Sequence, residues 1–195
     1  MKDPEEPQTM AHARADSLGD PVVEERARSI RLVLMDADGV LTDGRILMSP
    51  DGGEWKSFDP RDGLGVRLGQ RAGLSFGLIS GRSSEAVRHR ALELDFVAIH
   101  QKVDDKLTVF ERVRGEQGLE PAEVAFIGDD LVDIPPLVRA GLACSVPGAP
   151  PEVYAVAQLV TSRPGGRGAL REVIEVILKA QGTWPGLLKA YGVNE

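Results

Sequence analysis

The chain has 195 residues, of which 42% are hydrophobic and 27% charged, with a formal net charge of −7. That length supports one well-buried domain, and the composition is that of an ordinary globular protein. The acidic balance argues against nucleic acid or an anionic membrane as the main partner, and no apolar run approaches the ~20 residues that span a bilayer.

In chain order, residues 1–28 are polar, carry Pro4, Pro7 and Pro21, and lack sustained periodicity. They read as a flexible leader with a short helix over 22–28. The acids and prolines stand where a secretory signal would have a basic and then an apolar run, so the cytoplasm is the expected compartment. The lone Cys144, beside Leu142, Ala143 and Val146, reads as a buried free thiol. Residues 31–36 (RLVLMD) form a short apolar run ending in an acid, the pattern of a buried parallel strand. It recurs at 74–80, 96–100, 124–129 and 142–146. Helical patterns lie between, at 64–71, 84–93, 105–117 and 134–140, the last with Pro135 and Pro136 in its first turn, where proline is tolerated. This alternation predicts a doubly wound, Rossmann-like α/β domain with a parallel sheet over 29–180. Two segments break it. Residues 45–58 hold two short extended runs around Pro50-Asp51-Gly52-Gly53, a hairpin signal placed where the first helix would be expected. After a helix at 169–180, residues 181–195 read as a C-terminal tail.

Ligands of a parallel α/β sheet bind outside the carboxyl ends of its strands. Those ends carry Asp36-Ala37-Asp38-Gly39, Ser80-Gly81-Arg82, Lys106 in the loop after the third strand, and Gly128-Asp129-Asp130 with Asp133 close behind. Carboxylates crowded together repel unless a cation sits among them, and hard oxygen ligands suit Mg²⁺. In that inventory Asp36 is the candidate nucleophile toward phosphorus, and Asp38 the acid that protonates the leaving oxygen and then activates water. Asp36, the Asp38 backbone carbonyl and Asp129 are the expected metal ligands. Ser80, Gly81 and Lys106 are expected to hold phosphoryl oxygens, with Asp130 and Asp133 completing the shell around the metal and Lys106. Lys106 is preferred over Lys102 because it opens a helix beside Asp104 and Asp105. Arg82 reads equally as a solvated side chain or as one near substrate. His12, His89 and His100 lack metal-ligand spacing.

Asp36-Ala-Asp-Gly-Val-Leu-Thr-Asp-Gly44, Ser80-Gly-Arg82, Lys106 and Gly128-Asp-Asp-Leu-Val-Asp133 resemble, in order, the four motifs of the haloacid dehalogenase superfamily. Within it, the extended first motif, the hairpin in place of a cap domain, Phe58-Asp-Pro-Arg-Asp-Gly63 and Gly165-Gly-Arg-Gly-Ala-Leu-Arg-Glu172 resemble the 3-deoxy-D-manno-octulosonate 8-phosphate phosphatases. The resemblance implies a capless fold with a hairpin flap, a phospho-aspartate intermediate, Mg²⁺, a homotetramer, and a place in lipopolysaccharide sugar synthesis. Phosphatases of nine-carbon sugar acid phosphates share these features and stay open as the alternative. Ala37, Ser80 and Asp59-Pro60 depart from the commoner residues of the family. A sugar acid carries a carboxylate, and a guanidinium fork is its natural partner; Arg61, just past the hairpin, is the candidate, with a salt bridge as the competing reading. Trp55 and Phe58 read as packing or subunit contacts.

An EF-hand loop at Asp36 would need glycine and glutamate where Leu41 and Leu47 stand. A phospho-receiver also gathers acids, a hydroxyl and a lysine, but it places its phosphorylated aspartate later in the chain than its acid pair. A catalytically dead binding module is disfavoured by Asp36, Asp38, Lys106 and Asp129 all being present.

Overall fold

The computed structural model describes residues 19–193. Helix α1 (Pro21–Arg28) opens on an Asp20 cap with proline in its first turn, and packs Val23 and Ala27 into the core. The expected leader therefore ends before this helix; its first eighteen residues lie outside the described part. Strand β1 (Leu32–Met35) runs to Asp36, whose backbone N–H still donates to Ile127 O at 3.0 Å. A tight turn over Ala37–Leu41 follows, then the hairpin strands β2 (Leu47–Met48) and β3 (Glu54–Trp55), paired antiparallel. Next come α2 (Pro60–Arg71), β4 (Ser75–Ile79), α3 (Glu85–Glu93), β5 (Ala98–His100) and α4 (Lys106–Glu116). The second half holds β6 (Val124–Ile127), α5 (Ile134–Arg139), β7 (Leu142–Ser145), α6 (Pro151–Val156), β8 (Leu159–Val160), α7 (Ala169–Ala180) and α8 (Trp184–Lys189).

Six strands form one parallel sheet in the order β5-β4-β1-β6-β7-β8. The side chains of β1 alternate between its faces, as the period of a strand requires. Val33 and Met35 pack with residues of α1, α2, α3 and α7, while Leu32 and Leu34 pack with Phe110, Val113, Leu137 and Val153 of α4, α5 and α6. This three-layer core leaves the strand ends free to carry polar groups. Because β1 lies between β4 and β6, the chain departs in opposite directions on either side of it, and the crevice of such a sheet opens there.

Four elements differ from the sequence reading. Helix α2 begins at Pro60 rather than at residue 64, capped by the Asp59 carboxylate, which accepts from Arg61 N at 2.8 Å. The C-terminal residues contain α8, whose Trp184 lies under Arg171 and Lys179 at 5.4 and 5.6 Å. Strand β8 and helix α6 extend the sheet beyond the expected five strands. No helix among the described residues is long and apolar enough to cross a membrane.

Phe126, fully buried on β6, packs edge-on against Phe110 with ring centroids 6.3 Å apart. Phe126→Ala should cost about 3–5 kcal/mol through lost transfer energy and the cavity left behind. Urea unfolding followed by circular dichroism would measure this; a cost below about 1 kcal/mol would mean that the layer repacks.

Candidate active site

Asp36 ends the central strand and points out of the sheet, with Oδ1 accepting from Ala37 N at 2.6 Å. The turn beyond it depends on glycine. Gly39 adopts φ 88°, and a β-carbon there would lie 1.9 Å from Asp129 Oδ2, so only the bare backbone lets the β1 and β6 loops meet. The far side of this turn is closed by the C-terminal half: a β-carbon on Gly165 would sit 1.6 Å from Gly39 O, and Gly166 N donates to Val40 O at 2.9 Å.

Lys106, at the start of α4, is buried between two carboxylates. Its Nζ lies 2.9 Å from Asp36 Oδ2 and 2.6 Å from Asp133 Oδ1. Asp133 is fully buried, and its other oxygen accepts from the backbone N–H groups of Asp129 and Asp130 at 3.0 and 3.2 Å. Burial opposes the charge on Lys106, but Asp36 and Asp133 outweigh it and hold the ammonium above its ordinary pKa. Burial, then the charge of Asp133, pushes the Asp36 carboxyl upward against the pull of Lys106.

Asp38 has a different neighbourhood. Its Oδ1 takes a hydrogen bond from Lys56 Nζ at 2.5 Å, and Arg82 Nε lies 3.2 Å from Oδ2. Lys56 also reaches Glu54 Oε1 at 3.0 Å, and Arg82 NH2 approaches the same oxygen at 3.4 Å. Burial works against the Lys56 charge, yet its bonds to Asp38 and Glu54 raise its pKa. Sequence reasoning missed Lys56 and Glu54. The signal was their spacing of two, which puts both on one side of an extended arm with Trp55 on the other.

Asp36, Asp38, Ser80, Gly81, Arg82, Lys106, Asp129 and Asp130 line one cleft of about 290 Å³. The expected residues therefore converge, with two differences. The Asp130 carboxylate caps its own turn, accepting from Leu131 N at 2.7 Å, and has no contact with Lys106 among the described residues. Arg61 lies outside the cleft lining: its guanidinium grips Asp59 Oδ2 at 2.6 Å and donates to Arg167 O at 3.0 Å. With Asp59 two residues away, the salt bridge is the reading that the geometry supports. The Phe58–Gly63 and Gly165–Glu172 motifs serve to join segments. Buried Asp62 accepts from Gly168 N at 3.1 Å and Arg171 N at 2.8 Å, capping α7, and Glu172 accepts from Ser162 N and Arg163 N.

The donor set suits a hard divalent cation. Oxygens of Asp36, Asp129 and Asp133 lie within 4.8 Å of one another. Asp133 is fully buried behind Lys106 and does not line the cleft, whereas Asp36 and Asp129 do, so these two are the carboxylates open to a metal. The Asp129 carboxyl is pushed up to about 7 by burial first, then by the charges of Asp36 and Asp133. An anion so disfavoured, beside another carboxylate, is what a bound cation relieves.

No protein-family model matches the chain. It is 40% identical over 162 residues, 83% of this chain and 86% of the relative, to the 3-deoxy-D-manno-octulosonate 8-phosphate phosphatase KdsC of Salmonella typhimurium. The chain belongs to the 3-deoxy-D-manno-octulosonate 8-phosphate phosphatase family. Its haloacid dehalogenase fold is shared with the Moraxella catarrhalis phosphatase of that name, whose crystal structure contains magnesium ion, phosphate ion and KDO. That match has a TM-score of 0.85 and 40% identity, and covers 87% of this chain and 97% of the other. The cobalt-bound Haemophilus influenzae phosphatase matches with a TM-score of 0.78 and 36% identity, over 80% and 92% of the two chains. Membership of the phosphatase family agrees with the order of motifs read from the sequence.

The raised pKa of Asp129 has a consequence for stability. An acid whose folded pKa exceeds its unfolded value contributes stability below about 3.8 that is lost as pH rises through about 7. The metal-free protein should therefore lose melting temperature between about pH 5 and pH 8 through this group. Mg²⁺, which accepts Asp129 as the anion, should raise Tm more at the higher pH. Calorimetry in chelator and in Mg²⁺ at both values tests this; equal increments would uncouple Asp129 from the metal.

Proposed function

We propose that this chain hydrolyses 3-deoxy-D-manno-octulosonate 8-phosphate, with Mg²⁺, to the free sugar acid and inorganic phosphate. The observation that carries the reading is the convergence of Asp36, Asp38, Ser80, Lys106 and Asp129 on one cleft at the switch point of the sheet. The Moraxella relative, with magnesium, phosphate and KDO in its crystal, supports the choice of substrate. Asp36, Asp129 and the Asp38 backbone carbonyl would hold the ion, which screens the repulsion between carboxylate and phosphoryl group.

The chain's own residues divide the work. The Ser80 hydroxyl, the Gly81 amide and Lys106 hold phosphoryl oxygens, so that a carboxylate oxygen of Asp36 faces phosphorus. That oxygen forms a bond to phosphorus as the bond to the sugar oxygen breaks, and Asp38 gives its proton to the departing oxygen. Asp38 then takes a proton from a water molecule that attacks phosphorus, the bond to Asp36 breaks, and phosphate leaves. Asp133 acts through Lys106 and the backbone of residues 129 and 130, holding both loops in place.

Assembly as a homotetramer is part of the proposal. Ile46, Leu47, Met48 and Trp55 of the hairpin are 47–68% exposed, an apolar surface suited to contacts between copies. Such a contact is also where a sugar carboxylate would find the cation that Arg61, tied to Asp59, does not offer within one subunit. A fully buried single thiol fits work in the cytoplasm, as part of lipopolysaccharide precursor synthesis.

Phosphate release should be largest with the eight-carbon sugar acid phosphate in a panel that includes nine-carbon acid phosphates and neutral sugar phosphates. It should stop in chelator and return with Mg²⁺. Asp36→Asn should abolish turnover, and Asp38→Asn should slow it by roughly 10²–10⁴-fold while Mg²⁺ binding survives. Preference for a nine-carbon acid would move the substrate, and full activity in chelator would remove the metal from the mechanism.

A further inference from the structure

Lys56 is unusual for a lysine on a hairpin, because only 1% of its side-chain surface is exposed. Its ammonium has three oxygen partners: Asp38 Oδ1 at 2.5 Å, Glu54 Oε1 at 3.0 Å and the Arg45 carbonyl at 3.3 Å. The last two belong to the two arms of the hairpin, so Lys56 ties both arms to Asp38. Arg82, the second cation at Asp38, is 50% exposed and contacts the opposite oxygen, Oδ2. Thr42 Oγ1 adds a long contact to Oδ1 at 3.4 Å. The two oxygens of Asp38 thus differ. Oδ1 is held by covered groups, whereas the contact of Oδ2 is with Arg82, a half-exposed residue that lines the cleft together with Asp38.

We propose that Lys56 is a positioning residue for the general acid, anchoring Oδ1 of Asp38 so that Oδ2 carries the proton delivered to the leaving oxygen. The inference rests on the assignment of Asp38 as acid and deepens that reading. A carboxylic acid delivers its proton along one direction, and a carboxyl free to turn about its side-chain torsions spends little time in that direction. Arg82 can swing into solvent when an ester enters, whereas Lys56 is held by Glu54 and Arg45 and stays. The hairpin therefore contributes to the chemistry itself, through one buried ammonium.

The nature of the leaving group separates this role from plain structure. A sugar alkoxide departs only if protonated; a nitrophenolate departs without help. The quantity to compare is kcat/KM, which covers events up to the first irreversible step and so excludes the later attack of water, in which Asp38 serves both esters alike. Lys56→Met should lose roughly 10–100-fold in kcat/KM on the sugar acid phosphate, and at least about tenfold less on 4-nitrophenyl phosphate. Lys56→Cys should show the same selective loss and recover it after alkylation with 2-bromoethylamine, which restores an ammonium at nearly the same length. The only natural thiol, Cys144, is 0% exposed and stays out of that reaction. Melting temperatures of all forms check that each is folded. Equal losses on both esters, or failure of the restored ammonium to recover the selective loss, would overturn the inference. Folded variants that lose nothing on either ester would overturn it too. If the unaltered protein released phosphate from neither ester, the phosphatase reading would itself fall, and this inference with it.

Discussion

The structure turns on one unfavourable arrangement made tolerable: three carboxylates at the adjoining ends of β1 and β6, with one buried ammonium among them. Asp36, Asp129 and Asp133 repel one another, and burial amplifies the repulsion because little water screens it. Lys106 offsets part of it by touching Asp36 and Asp133 together. Asp133 meets the rest of its demand with the backbone amides of residues 129 and 130. What is left over is concentrated on Asp129, which has no contact with Lys106 among the described residues. The fold thus holds a deficit of positive charge at one defined place, and a divalent cation together with a phosphoryl group fits that deficit.

The neutral layers around this site exist to hold it. Leu32, Val33, Leu34 and Met35 divide between the two faces of the sheet and are fully buried, so packing on both sides holds the strand that ends at Asp36. The hairpin is exposed and apolar at its edge, polar on its inner side, and joined to the turn after β1 through Lys56 and Asp38. A rigid centre and a separately attached arm let the same reaction be kept while the group being hydrolysed changes.

Much of this was legible in the sequence, for physical reasons that differ from element to element. A buried parallel strand must be apolar throughout and stop at its functional residue, so 31–36 and 124–129 announced both a strand and a site. Motif order then fixed Asp36, Ser80, Lys106 and Asp129 near one another. Helix α2 was placed late because Pro60, Gly63 and Gly65 look like breakers; in the fold, Pro60 occupies a first-turn position under an Asp59 cap. Helix α8 owes its place to Trp184 lying against Arg171 and Lys179 of the preceding helix, and pairings of that kind leave no periodic trace. Lys56 meets Asp38 across eighteen residues only because the hairpin folds back, and a list of motifs contains no such geometry. Arg61 stands out by its chemistry, and the fold pairs its guanidinium with the neighbouring carboxylate of Asp59, a local contact that motif order does not reveal.

The contact of Gly165 and Gly166 with the backbone of Gly39 and Val40 has a bearing on biosynthesis. A strand such as β1 gains its partners β4 and β6 as the middle of the chain emerges, but the turn that carries Asp38 is braced by a segment more than one hundred residues downstream. Contacts so distant in sequence close late. During translation the sheet can assemble while the loop after Asp36 still lacks its support, and the site gains that support only once residues 165 and 166 have been made. A protein made in this order does not present a finished hydrolytic centre to the metabolites around it before its own fold is secure.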